Sequence, residues 1–461
     1  MSRLLDQDVA ARVLARALAN GGRFAEVFAE RRRGQTLAID ERRIESVQAG
    51  AEEGAGIRVV EGNTTYFAHV DGLDPDDLER AAGEAAAALK GGRREPQPLR
   101  ARAATPLPIE RRPEDVAAAR KAEMLRELDR RGRAKDRRIA QLMASYAEAR
   151  REVAVANSDG LFTGDDRTRV RIGVQAVARS GEGVETGAET LGGHRGYELL
   201  EDDPGRIAEQ AAGKALTLLD AVPAPSGSMP VVVGGGFGGV LFHEMTGHGL
   251  EADHVQKGAS VYADKLGDRV AEPLLNAYDD GCLPGEWGSD AVDDEGQPTQ
   301  KTQVIEGGRL TSYLYDRLTA ERAGVEGTGN GRRESFRRLP IPRMTNTYIA
   351  PGDAAPEEMI AEVQHGFYAV SFGGGQVDPA TGDFVFGVSE GYLIEGGRVT
   401  RPCRGATLIG NCLDALAAID AVGDDFFMKT GICGKGGQKV PVGTGQGHVR
   451  LRSLTVGGTE R

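Results

Sequence analysis

The segment Leu241-Phe-His-Glu-Met-Thr-Gly-His-Gly-Leu-Glu-Ala-Asp-His254 constrains this chain more than any other. It carries three of the seven histidines, and a glutamate follows the first of them. Two imidazoles with an adjacent carboxylate are the parts of a hydrolytic zinc site: the imidazoles hold the ion and the carboxylate takes a proton from the attacking water. The spacing is H-E-x-x-x-H, one residue longer than the H-E-x-x-H of ordinary zinc peptidases. Positions i and i+4 share a helix face, whereas i and i+5 stand roughly 140° apart. His243 and His248 can therefore share a metal only if the helix is widened or broken between them. Gly247 makes such a distortion cheap, and widened turns favour functional sites.

A third protein ligand is required, and the pattern offers three. His254 lies six residues past His248, an interval known from zinc peptidases with a third histidine, but Gly249 does not stand where the turn of those sites needs its glycine. Glu251 is closer, as in sites built from two histidines and a glutamate. Cys433 is distant, in Gly431-Ile-Cys-Gly-Lys435, with a lysine two residues on that favours a thiolate. Spacing alone does not choose among them.

With 461 residues the chain exceeds one ordinary core. Helical and strand periodicities alternate in the first half: a helix from Leu5 to Leu18, strands from Phe24 to Ile44, and a hairpin over Gly56–Ala68 turning at Gly62-Asn63. A helix capped by Asp74 carries the stripe Leu78, Ala82, Ala85 and Leu89. Pro113 opens a charged helix to about Arg131, extended segments flank a turn at Asn157–Gly160, and a further helix lies near Pro204–Ala221. The stretch Ala221–Pro230 reads as a linker. Beyond it come short strands and glycine turns, with Ile305-Glu-Gly-Gly-Arg309 and Ile394-Glu-Gly-Gly-Arg398 as twin hairpins. The fold class expected is α+β. An N-terminal mixed α/β domain (1–222) precedes a β-rich C-terminal domain (223–461) that carries a short metal-binding helix.

Charge narrows the partners. The chain has 57 basic and 69 acidic residues, a net charge of −12, which disfavours direct binding of nucleic acid. No apolar run approaches a membrane span and the first residues lack a leader's apolar region, so a cytoplasmic location is expected. The four cysteines form no C-x-x-C pair and do not suggest a disulfide framework. Gly234-Gly-Gly-Phe-Gly-Gly239 satisfies a dinucleotide fingerprint, but no strand–helix alternation follows, and close backbone packing is the better use of it. Gly327–Arg338 holds four arginines, readable as a solvated loop or as a clamp for carboxylates such as a peptide C-terminus, with Arg332 and Arg333 at its centre.

Five segments, in this order, resemble the TldD/PmbA metallopeptidases: His243-Glu-Met-Thr-Gly-His-Gly-Leu-Glu251, Gly329-Asn-Gly-Arg-Arg-Glu-Ser335, Pro342-Arg-Met-Thr-Asn-Thr-Tyr348, Gly373-Gly-Gly-Gln-Val-Asp-Pro379 and Gly431–Lys435. The match is to the TldD branch, which keeps the metal motif. The resemblance implies a Zn2+ held by His243, His248 and Cys433, with Glu244 as general base. It implies a heterodimer with a PmbA/TldE-like chain, or a self-dimer, enclosing a chamber that unfolded or small peptides reach. Substrate would lie extended and be held through its backbone, which suits glycine-rich strands such as that of Gly373 and Gly374. The family's older label, modulator of DNA gyrase, would then describe an indirect effect. Some relatives use the scaffold on modified peptide-like or thiol-adduct natural products, so a metal-dependent hydrolase or lyase of that kind is the alternative.

Overall fold

The computed structural model describes residues 4–236 and 238–458, so Met1–Arg3 of the leader reading and Phe237 of the glycine run lie outside it. The first half is built on very long antiparallel strands: β1 (Phe24–Asp40), β2 (Arg43–Glu61), β3 (Thr64–Asp71), β4 (Ile139–Asn157), β5 (Leu161–Ser180) and β6 (Gly183–Gly193). They pair in the order β3-β2-β1-β4-β5, with β6 and the two-residue strand Arg100–Ala101 on the far edge of β5. The hairpin turns where expected, with Gly62 at φ +57°.

Alternation on β1 shows how the sheet is covered. Ala25, Val27 and Ala29 pack on α1 (Gln7–Ala17) and α2 (Pro75–Ala86), and Leu37 and Ile39, on the same face, pack on α3 (Ala118–Ala134) and α4 (Arg206–Leu219). Asp74 caps α2 by accepting from the amides of Asp76 and Asp77. Two expectations need correcting. Pro113 opens only a single 3-10 turn, Pro113–Asp115, and α3 begins at Ala118. The extended segments before and after Asn157 are parts of two continuous strands, 19 and 20 residues long.

The opposite face of β1 presents Glu26, Phe28 and Glu30 to the C-terminal half. There the carboxylates meet buried arginines: Arg58 to Glu26 at 2.9 Å and to Glu295 at 2.5 Å, Arg333 to Glu26 at 2.6 Å, and Arg151 to Glu30 at 2.7 Å. From β5, Arg167 reaches Asp294 and Arg169 reaches Asp290, each at 2.6 Å. Of these, Arg58–Glu295, Arg333–Glu26, Arg167–Asp294 and Arg169–Asp290 join the two halves, and breaking such a buried pair on one side only costs about 3–5 kcal/mol.

The C-terminal half contains two larger sheets. In one, β7 (Gly227–Val233), β11 (His365–Val377), β12 (Asp383–Glu395), β13 (Thr407–Asn411) and β16 (Val449–Gly457) pair in the order β11-β7-β16-β13-β12, and a β11–β12 pairing closes the path on itself. The other includes β8 (Ala277–Asp280), β9 (Lys301–Glu306), β10 (Asn346–Ile349), β14 (Phe427–Lys435) and β15 (Gln438–Gln446), in the order β9-β8-β10-β15-β14. The Ala221–Pro230 stretch is partly sheet, since β7 starts at Gly227 and Val222–Pro223 pairs with Cys403–Arg404. Both Gly-Gly hairpins form, with Gly307, Gly308, Gly396 and Gly397 all at positive φ.

Candidate metal centre

After β7 the chain makes one α-helical turn, α5 (Gly239–Phe242), then a π-helical turn over His243–Gly247, then a 3-10 turn over His248–Leu250. The His248 amide donates to the His243 carbonyl, the i to i+5 bond of a π turn. The local widening that the histidine spacing demands is therefore present. The reason for Gly247 differs from the expected one. Its φ is −55° and ψ −52°, ordinary helical values, but a Cβ there would fall 1.9 Å from Met344 Sδ. Space, not backbone freedom, requires the glycine. The glycine run before the turn serves packing as well: a Cβ on Gly239 would lie 2.6 Å from the Gly445 amide nitrogen on β15.

The widened turn brings His243 and His248 to the edge strand β14. His243 Nε2 lies 3.3 Å and His248 Nε2 3.2 Å from Cys433 Sγ, and the donor atoms of the three residues all lie within 4.8 Å of one another. In a tetrahedral zinc site, bonds of about 2.05 Å to nitrogen and 2.3 Å to sulfur place nitrogen and sulfur about 3.5 Å apart. The three donors fit one small, borderline-soft ion. Glu244 stands beside them with Oε2 3.8 Å from His248 Nε2. His254 lines the same cavity, of about 450 Å³, but is not part of the three-donor group.

Glu251 sits behind the donors. Its Oε2 is 3.0 Å from His248 Nδ1, which sets that ring so that Nε2 faces Cys433. Lys435 Nζ reaches the same oxygen at 3.1 Å, and Arg343 Nε lies 3.6 Å from Oε1. Arg343 also donates to the Cys433 carbonyl at 2.7 Å, so one buried guanidinium ties the cysteine's backbone to the carboxylate that orients the histidine. Sequence reasoning missed Arg343, although it lies in the quoted Pro342–Tyr348 segment, and it weighed Glu251 only as a ligand. Burial opposes ionisation of Glu251, but His248 and Lys435 outweigh it and hold the carboxyl at about 2. Burial likewise opposes a Cys433 thiolate, yet His243 and His248 bring the thiol down to about 5. For His248, burial is outweighed by Glu251 and Cys433, and the imidazole is raised well above its usual value. His243 Nδ1 is buried with no hydrogen-bond partner among the described residues.

The proposed substrate contacts fall elsewhere or at the rim. Arg332 and Arg333 are buried: Arg332 donates to the Met344 carbonyl at 2.5 Å, and Arg333 is held by Glu26 and the Asp294 carbonyl. Neither lines the metal cavity. Gly373 and Gly374 are exposed on β11, just before Gly375, Gln376 and Val377, which do line it. From Gly374 to Val377, β11 pairs with β12 on one side, and no strand pairs with its other edge there among the described residues.

Three potential metal donors beside a carboxylate, in a cleft bordered by an unpaired strand edge, are the parts that a metal-dependent peptidase uses. Family models agree: residues 25–89 match PmbA/TldA metallopeptidase domain 1, 111–219 the central domain and 226–458 the C-terminal domain. The chain belongs to the PmbA/TldD metallopeptidase family. It is 38% identical over 452 residues to a metalloprotease TldD homolog of Haemophilus influenzae, covering 95% of this chain and 93% of that one. It is also 38% identical to the metalloprotease TldD homolog of Buchnera aphidicola subsp. Acyrthosiphon pisum, covering 89% and 87%. The fold is shared with the crystal structure of TldE from Thermococcus kodakarensis, at a TM-score of 0.74 and 21% identity over 94% of this chain and 97% of that one. Among the described residues no helix is long and apolar enough to cross a membrane.

Proposed function

We propose that this chain is a zinc peptidase of unfolded or small peptides, with His243, His248 and Cys433 as zinc ligands and Glu244 as general base. The convergence of two imidazole Nε2 atoms on one thiolate, 190 and 185 residues away in sequence, is the observation that carries the reading. Zinc bound there would polarise the scissile carbonyl and ease deprotonation of the attacking water. Glu244, partly exposed in the cavity, accepts that proton and returns it to the leaving amine. Glu251, Lys435 and Arg343 keep His248 and Cys433 in place. The free edge of Gly374–Val377 supports an extended substrate held through its backbone, with little selection among side chains.

On this reading the chain is the catalytic subunit of a cytoplasmic pair with a PmbA/TldE-like chain, and its identity to metalloprotease TldD homologs supports the catalytic side. Elemental analysis of protein purified without added metal should find close to one zinc per chain. Glu244→Gln should retain that zinc and lose about 10²–10⁴-fold in peptide turnover. Protein that neither contains zinc nor takes it up, or a Glu244→Gln variant with near wild-type turnover, would overturn the proposal.

A further inference from the structure

A second cavity, of about 630 Å³, lies between the inner face of the first sheet and the β14–β15 hairpin. Its floor is a patch of small side chains. Gly50, Gly34 and Ala149 stand side by side across β2, β1 and β4, and Ala147 follows beside Thr36. Ile432, Val440 and Pro441 of the hairpin cover it, and Trp287, whose Nε1 donates to the Gly431 carbonyl at 3.0 Å, also borders it. Ile432 lines the metal cavity too, so the two spaces are neighbours across one hairpin.

Its charge is unbalanced. Arg167, Arg169 and Arg171 alternate along β5 and so share this face. The first two are matched by Asp294 and Asp290, but Arg171 has no hydrogen-bond or ion-pair partner among the described residues, and its Nε is buried. Burial lowers its pKa, with no acid opposing the effect. Arg32 and Lys439 add charge at the rim without ion pairs of their own among the described residues. The acids lining the cavity are Glu148 and Glu334, and Glu148 is engaged from the sheet's other face by Lys121 at 2.6 Å and by the Tyr146 hydroxyl. Arg171 is partly buried, with its Nε closed off from water and unpartnered, and the planar fork of a guanidinium matches a carboxylate.

We infer that this cavity is a carboxylate-binding subsite in which Arg171 grips the carboxylate and the small-residue floor accommodates the chain that bears it. The carboxylate can belong to a peptide C-terminus or to a free organic acid, which present the same group to Arg171. Binding here does not depend on the peptidase reading, and the test leaves catalysis aside.

Trp287 is the chain's single tryptophan, so intrinsic fluorescence reports on this cavity. The full chain is titrated with an N-acetylated tripeptide as the free acid, with its C-terminal amide, with succinate and with inorganic phosphate, each with and without chelator. Fluorescence and calorimetry are read together. The free acid should bind saturably and the amide should not, equally with chelator present. Arg171→Met should weaken binding by about tenfold or more, and Arg171→Lys by less. Succinate binding as tightly as the tripeptide acid would support the subsite with a small organic acid as its ligand; weaker succinate binding would support it with a peptide end. Equal binding of acid and amide, phosphate binding tighter than any carboxylate, no saturable signal from either carboxylate, or an affinity unchanged in both Arg171 variants would each overturn the inference.

Discussion

Replacing Gly247 by alanine is expected to release the metal rather than to strengthen the helix. The new Cβ would sit 1.9 Å from Met344 Sδ, and Met344 is fully buried. Heavy atoms rest about 3.5–4.0 Å apart, so one side must retreat by roughly 1.6 Å or more. The backbone at Gly247 is helical, and on propensity alone alanine would gain up to about 1 kcal/mol over glycine. Overpacking opposes this by about 1–3 kcal/mol and acts on the turn that carries both histidines. Metal–ligand distances tolerate only about 0.2 Å, so a shift of this size at the residue before His248 should weaken zinc binding about tenfold or more. Chelator competition reads the affinity, and circular dichroism checks that the fold persists. Adding Met344→Ala should restore much of the affinity while lowering stability, because it leaves a cavity where the thioether stood. A Gly247→Ala protein with a higher melting temperature and unchanged zinc affinity would refute the packing argument and return the glycine to a backbone role.

The remaining predictions concern the ligands and the joint between the halves. Cys433→Ala should sharply weaken zinc retention while His254→Ala largely spares it, and the near-ultraviolet thiolate band of the cobalt-substituted protein should vanish in Cys433→Ala only; loss of metal in His254→Ala with no such band in the wild type would reverse the assignment. Glu251→Gln should lower zinc affinity about 10–100-fold, since it removes the charge that orients His248 and that Lys435 and Arg343 face, and an affinity within the error of wild type would leave that carboxylate without its role. Glu189 is buried between Lys214 at 2.7 Å and Lys429 at 3.2 Å; burial opposes its ionisation, yet the lysines lower its pKa. A depressed folded value means that its contribution is complete above the ordinary glutamate range and is lost as the pH falls through the folded value. Urea unfolding followed at several pH values should therefore show Glu189→Gln less stable than wild type at neutral pH, with the gap closing in acid; a gap independent of pH would remove Glu189 from the acid response.

The sequence made the metal turn legible because the histidine interval has few structural solutions: with i+5 spacing, a regular helix fails and a widened one succeeds. The twin Gly-Gly hairpins and the Gly62-Asn63 turn were legible for a similar reason, since few residues adopt positive φ. The long strands were not. Polar residues such as Arg167 and Arg169 interrupt the apolar alternation and read as segment ends, whereas in the fold they are buried against carboxylates from the other half. Pairing across hundreds of residues leaves no local signature. The same effect hid the setting of Arg332 and Arg333, readable as a solvated loop or as a carboxylate clamp: both are buried, Arg332 on the Met344 carbonyl and Arg333 on Glu26 of β1. The role of Glu251 was hidden because an interval in sequence does not reveal whether a carboxylate faces the ion or the back of a ligand.

The distance along the chain between the donors sets a schedule. His248 and Cys433 are 185 residues apart, and with Cys433 as the third ligand the site is complete only when a late hairpin docks. At bacterial-type synthesis rates the thiol leaves the ribosome roughly 10–40 s after the histidines. During that interval the turn offers an ion two imidazoles and a loose hold. Tight capture would wait for the hairpin, so a complete three-donor site would form only after nearly the whole chain has been made.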